Sequence, residues 1–220
     1  MSIRYFLCLL PLLAFGHWAM DFDEDWAAAS AGPVTLTFEY VTTYPATITI
    51  GGSGYGQPAD PSKALVDAGD GVFVSWTTNT ITLKGKRIRF RGDWRNSTGN
   101  FRELFRGTFA GGYDVTMSGG FDFEGAPAAD MFRSTFSGCS NLTGPIPSGL
   151  FGAISGAPAS YMFSYTFNNC SNLTGESALM PDGITHLYKQ FPTASGTQCD
   201  NCYSGATGLD DYATMPDAWK

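Results

Sequence analysis

Few residues in this sequence combine the type and spacing that chemistry requires. Cys199-Asp200-Asn201-Cys202 has the spacing of a redox pair or of half a zinc site, but a four-ligand zinc site needs two further ligands close by. In an exported chain the same spacing suits a structural disulfide, with free thiols as the alternative. Cys139 and Cys170 hold equivalent places in two similar stretches. They should stack on adjacent coils within disulfide range, although buried, reduced thiols suit so tight a core better. Export cleavage is expected after Gly16 or Ala19, and a cut beyond His17 leaves His186 as the one histidine on which a Ser-His-Asp or Cys-His arrangement would depend. A structural role is expected for it.

Asp114, Asp122 and Glu124 stand in no context resembling a glycosidase and are read as loop residues in water. The acidic run at residues 21–25 lacks the glycine turn and trailing glutamate of a calcium loop. Residues 51–56 are rich in glycine but lack the lysine of a phosphate loop. No catalytic residue, cofactor or metal ion is therefore expected, and the chain is not read as an enzyme.

The more promising chemistry is electrostatic. The net charge of −7 conceals a local excess of base: residues 81–106 carry eight Lys or Arg against Asp93 and Glu103. Side chains alternate along a strand, so Arg87, Arg89 and Arg91 should share an outer face while Ile88 and Phe90 turn inward. Three arginines on one face form a candidate anion site, with Trp94 and Trp76 beside it for stacking on sugars. The alternatives are a charge-protected edge strand for the arginines and core packing for the tryptophans.

Those residues need elements to carry them. Residues 1–19 place Arg4 before a short uncharged apolar run, the layout of an export signal and too short to span a bilayer. Residues 20–32 read as a flexible acidic leader. No membrane span is expected once the signal is removed. Residues 33–95 alternate apolar and polar side chains and read as a small antiparallel β domain, with the strands at 72–76 and 81–83 paired with each other.

From residue 101 the pattern repeats. Leu104-Phe105 aligns with Met131-Phe132 and Met162-Phe163, and Cys139-Ser140-Asn141-Leu142-Thr143-Gly144 recurs unchanged as Cys170-Ser171-Asn172-Leu173-Thr174-Gly175. Met162, Phe163, Thr166 and Phe167 recur at helical spacing, which predicts a short helix per unit. Residues 187–191 read as a degenerate fourth unit and residues 193–220 as a Cys-containing cap. The fold class expected is therefore α+β: a small antiparallel β domain, then a short irregular leucine-rich-type solenoid over residues 101–192 with short helices and strands.

The run from Cys139 through Pro145-Ile146-Pro147 to Phe151, followed by Met162-Phe163 and the second Cys-Ser-Asn-Leu-Thr, resembles BspA-like bacterial leucine-rich repeats. The resemblance covers residues 101–192 and is most specific over 131–175. The units here are longer, and the Ile-Pro segment is missing after Leu173. What the resemblance implies is a secreted or surface-exposed bacterial protein that engages an extracellular protein or glycan through its repeats, with no nucleic-acid partner. Two other readings remain open: a carbohydrate-binding or carbohydrate-active accessory domain, and a self-associating structural component of the envelope.

Overall fold

The computed structural model describes residues 34–51 and 54–220. The expected signal and acidic leader, with Cys8, lie outside the described residues. The described chain forms one compact unit with one continuous apolar core, so the expected change of character between residues 95 and 101 is no break in the packing.

The frame is an antiparallel five-stranded sheet. Strand β1 spans Val34–Tyr40, and its alternation turns Val34, Leu36, Phe38 and Tyr40 into the core. β2 (Thr47–Thr49) pairs with β5 (Thr80–Thr82) in a separate two-stranded ribbon. The main sheet runs β4 (Val74–Ser75), β3 (Ala64–Asp67), β6 (Arg87–Gly92), β1, β7 (Val115–Phe121). The pairing expected between residues 72–76 and 81–83 is not formed, since the first stretch joins β3 and the second joins β2. β6 is no edge strand either: β1 flanks it on one side and β3 on the other.

β7 comes from between two repeats and pairs along the whole of β1. Gly119, at φ 79°, makes this possible, because a Cβ there would collide with the Thr35 carbonyl. A short parallel pair, β8 (Glu124–Gly125) with β9 (Ala153–Ile154), links the two following loops.

The repeats do not build the leucine-rich-type solenoid expected of them. The described chain is strand-rich, centred on the five-stranded sheet, and its one α-helix, α1 (Leu187–Gln190), falls where the degenerate fourth repeat was expected. The expected helix in each unit is absent among the described residues. In its place the backbone turns every four residues. Along residues 161–170, Phe163, Tyr165, Phe167 and Asn169 donate their N–H to the next row at 2.7–3.0 Å, while Met162, Ser164, Thr166, Asn168 and Cys170 donate three residues back. Every second N–H thus bonds between rows and the others bond within one, so the buried backbone is satisfied without helix or strand. A four-residue turn repeats side chains at i and i+4, which is why Phe163 and Phe167 mimic helical spacing.

Four such rows, at residues 101–107, 130–138, 161–169 and 197–205, lie in register. Phe101, Phe132 and Phe163 stack in one column with centroids 5.7 and 5.8 Å apart. Phe105, Phe136, Phe167 and Tyr203 stack in a second at 5.6, 5.3 and 5.5 Å, with planes within 12° of parallel. The second column packs on the sheet through Phe38, 4.9 Å from Phe105 and 6.5 Å from Phe136. The fourth row is the segment expected to be a cap, with Cys199 opposite Phe163 and Tyr203 opposite Phe167.

Phe136 touches both neighbours in its column and the sheet, so its truncation leaves a cavity that no single element can close. Phe136→Ala should cost about 3–5 kcal/mol in urea-induced unfolding, and Phe136→Leu less than about 1.5 kcal/mol.

Candidate functional site

The structure places the basic strand in the middle of the sheet and gives most of its charge a partner. Arg87 lies opposite Glu39 on β1 and reaches its carboxylate with Nε and Nη2 at 3.1 and 2.9 Å. Arg89 lies opposite Asp67 on β3 and donates to it at 2.8 Å. Asp67 is 2% exposed and also accepts from the Gly69 and Gly71 N–H groups, so Arg89 balances a buried charge that closes the following turn. Arg91 has no carboxylate partner among the described residues, and its guanidinium shares the Phe73 ring with that of Arg89, at 4.7 and 4.9 Å.

Trp94 does not join this face. It is 1% exposed, packs at 5.2 Å on Phe90, and donates its indole N–H to the Arg91 carbonyl at 2.9 Å. Trp76 is buried beside it. The outer face of β6 is therefore a cross-strand charge ladder, and the stacking platform expected next to it lies inside the core.

The four described cysteines are free and buried. The disulfide expected between Cys199 and Cys202 is not formed, because Cys199 turns its thiol to the Ala218 carbonyl at 3.2 Å while Cys202 packs in the interior beneath the third row. Cys139 and Cys170 are not joined either; each donates to a carbonyl of the row before, Phe105 and Phe136, at 3.0 Å. Thr135 and Thr166 make the same kind of inter-row bond, to Phe101 and Phe132, at 3.0 and 2.9 Å. Burial pushes the Cys139 thiol up to about 12, and burial followed by the Asp200 charge pushes Cys199 up to about 11.

His186 has partners that sequence reasoning did not find. Ser177 Oγ donates to Asp211 Oδ2 at 2.7 Å and lies 3.1 Å from His186 Nδ1, which is itself 3.2 Å from Asp211 Oδ2. These are the residue types of an acyl-transfer triad, but hydroxyl and carboxylate meet the same ring nitrogen. A catalytic base would stand between them. Ser177 is 1% exposed, so no substrate reaches it. Ser177 and Asp211 carried no local signal, since Asp211 leaves the fourth row 34 residues later.

Asp122 and Glu124 line an open cleft of about 490 Å³ with Gly120, Pro147 and Pro181, and Trp94 is not among its walls. A carbohydrate-active domain would gather paired carboxylates and Trp94 in one cleft, and Trp94 lies apart from this one. Asn96, which opens an Asn-Ser-Thr triplet of the kind that accepts glycans in a suitable host, is buried and donates to the Tyr55 carbonyl and Asn100.

The outward side of the rows is the least expected surface. Residues at the turns there take left-handed φ in register: Glu103, Ser134, Tyr165 and Asn201 at 54–60°, Asp130 and Tyr161 at 57° and 56°, and Gly107, Gly138, Asn169 and Gly205 at 59–78°, with Glu103 and Ser134 buried. Glycine and asparagine adopt this conformation at little cost, whereas a tyrosine there is disfavoured by about 1–2 kcal/mol. Yet Tyr161 and Tyr165 stand side by side on the third row, 39% and 37% exposed. Arg133 lies 4.5 Å over the Tyr161 ring and is held by Asp130 at 3.0 Å; Arg102 lies 4.0 Å over Tyr55. The result is a face of aromatic rings capped by guanidinium groups.

Compared with models of protein families, with curated proteins and with solved structures, the chain matches none.

Two outcomes follow from the buried acids. Iodoacetamide at pH 8 should leave Cys139, Cys170, Cys199 and Cys202 unmodified in the native protein and label all four in urea, as read by peptide mass spectrometry. The fold also favours the protonated forms of Cys139, Cys199 and Tyr40, the last pushed up to about 12 by burial and by Tyr113. That stability is fully present below pH about 9, where the unfolded thiols begin to ionise, and is lost as pH rises toward 12. Urea midpoints should fall steadily across that alkaline window.

Proposed function

We propose that this is a non-catalytic extracellular recognition protein of a bacterial surface that binds a protein or glycan through the outward face of its rows. The observation that carries this reading is the pair Tyr161 and Tyr165. Both are exposed aromatics in a left-handed conformation where the neighbouring rows carry Asp130 opposite Tyr161 and Ser134 and Asn201 opposite Tyr165. Backbone strain kept at an exposed position is a cost that folding does not repay, and such costs gather at binding sites. Tyrosine and arginine also supply large contact area with few rotatable bonds, which suits recognition. The resemblance of residues 131–175 to BspA-like repeats agrees with this reading. The basic strand is the weaker candidate, since an anion there would compete with Glu39 and Asp67.

One observation favours self-association as a second reading. Val72 and Val74, at the β4 edge of the sheet, are 58% and 52% exposed. Sedimentation across a hundredfold range of concentration tests this, and a monomer throughout would remove it.

The proposed face is tested on an array of glycans and matrix proteins probed with the intact chain and with Tyr165→Asn. The substitution should leave stability within about 1 kcal/mol of the parent, because relief of left-handed strain offsets lost partial burial. Binding should fall at least tenfold. Equal binding by both proteins, or silence on every spot, counts against this face.

A further inference from the structure

We propose that His186 and Glu176 form a site for a divalent transition cation such as Zn²⁺, with Asp211 and Ser177 holding the imidazole from behind. The site begins in a tight hairpin. Leu179 bridges to His186, Leu187 donates to the Ala178 carbonyl, and the Asp182 carboxylate closes the turn by accepting from the Ile184 and Thr185 N–H groups. His186 therefore lies opposite Leu179, on the arm facing the one that carries Glu176 and Ser177, and Tyr188 stacks on its ring at 5.0 Å. Asp211 arrives from beyond the fourth row.

The hydrogen bonds decide which ring nitrogen is free. Asp211 accepts from the Ser177 N–H at 3.0 Å and from the Ser177 hydroxyl at 2.7 Å. With its proton committed to Asp211, the Ser177 oxygen can only accept from His186 Nδ1, 3.1 Å away. Nδ1 thus carries the ring proton of the neutral imidazole, and the lone pair lies on Nε2. A carboxylate behind the protonated nitrogen fixes the tautomer and orients the ring, as it does for metal-bound histidines.

Nε2 faces Glu176 Oε2 at 3.7 Å. That separation is too long for a hydrogen bond. It matches the edge between two ligands of one ion: bonds of about 2.1 Å opening at about 110–125° set their atoms about 3.4–3.7 Å apart. Glu176 is half exposed at its side chain, so water completes the coordination shell. Among the described residues, Glu176, His186 and Asp211 are the one group of three His, Cys, Asp or Glu side chains whose ligand atoms converge. The imidazole and carboxylate donors suit Zn²⁺, Ni²⁺ or Cu²⁺ in preference to Mg²⁺.

The test is calorimetric titration of ZnCl₂ into the intact chain, paired with thermal unfolding with and without the metal. One equivalent should bind and raise the melting temperature. Glu176→Gln changes an exposed side chain and should leave the metal-free melting temperature unchanged while weakening binding at least tenfold; His186→Gln should abolish it. With Cu²⁺ as a paramagnetic probe, the spectrum should show coupling to a single imidazole nitrogen, lost in His186→Gln. No binding at millimolar Zn²⁺, or binding of undiminished affinity in Glu176→Gln, would overturn the site.

Discussion

The structure depends on a backbone ladder that runs between rows of turns. Each of the first three rows gives every second N–H to the carbonyls of the next and uses the others within its own turns, so neither set is left unpaired. This pattern admits only rows of equal pitch in strict register. It follows that any side chain on one row meets its equivalent on the next at about 5–6 Å. Phe105, Phe136, Phe167 and Tyr203 form a column because the backbone register sets each ring on its equivalent in the next row.

That constraint sorts the residues by direction. Inward positions are apolar or small: phenylalanines or tyrosine fill most of two columns, and leucine, methionine, threonine or cysteine fill the others. The buried thiols and hydroxyls then reach carbonyls of the preceding row, as Cys139 and Cys170 do, so polar atoms in the core help hold the rows together. Outward positions must tolerate positive φ. Most of them hold glycine, serine, asparagine or aspartate, and against that background Tyr161 and Tyr165 stand out as residues chosen for something besides folding.

This also explains what could be read from the chain beforehand. β1 and β6 were legible because alternation in Val34–Tyr40 and Arg87–Gly92 reports a half-buried strand directly. Their neighbours were not, since alternation says nothing about partners: Glu39 and Asp67 acquire meaning only once they lie opposite Arg87 and Arg89. The repeats were visible as a sequence period, but a four-residue turn and an α-helix place apolar side chains at the same spacing, so their conformation was misread. The fourth row escaped notice because Cys199 replaces the phenylalanine that marks the other three. Trp94 could not be assigned to a surface, as an indole N–H that bonds a backbone carbonyl is as content inside as outside.

The same geometry separates the two parts of the molecule that could act on something else. The rows are stiff, since opening one breaks a ladder and two aromatic columns together, and a binding face built on them loses little freedom when it engages a partner. The hairpin that carries Glu176 and His186 is tied to the fourth row and the chain beyond it where Ser177 and His186 meet Asp211 and where the Ala178 N–H donates to the Tyr203 hydroxyl, and to the preceding loop where Gly149 and Ser148 donate to the Leu179 and Met180 carbonyls. A cation held there would extend the rigidity of the rows into the hairpin, because it joins Glu176 to an imidazole already anchored through Asp211. Ion binding and row stacking would then reinforce each other through a single carboxylate.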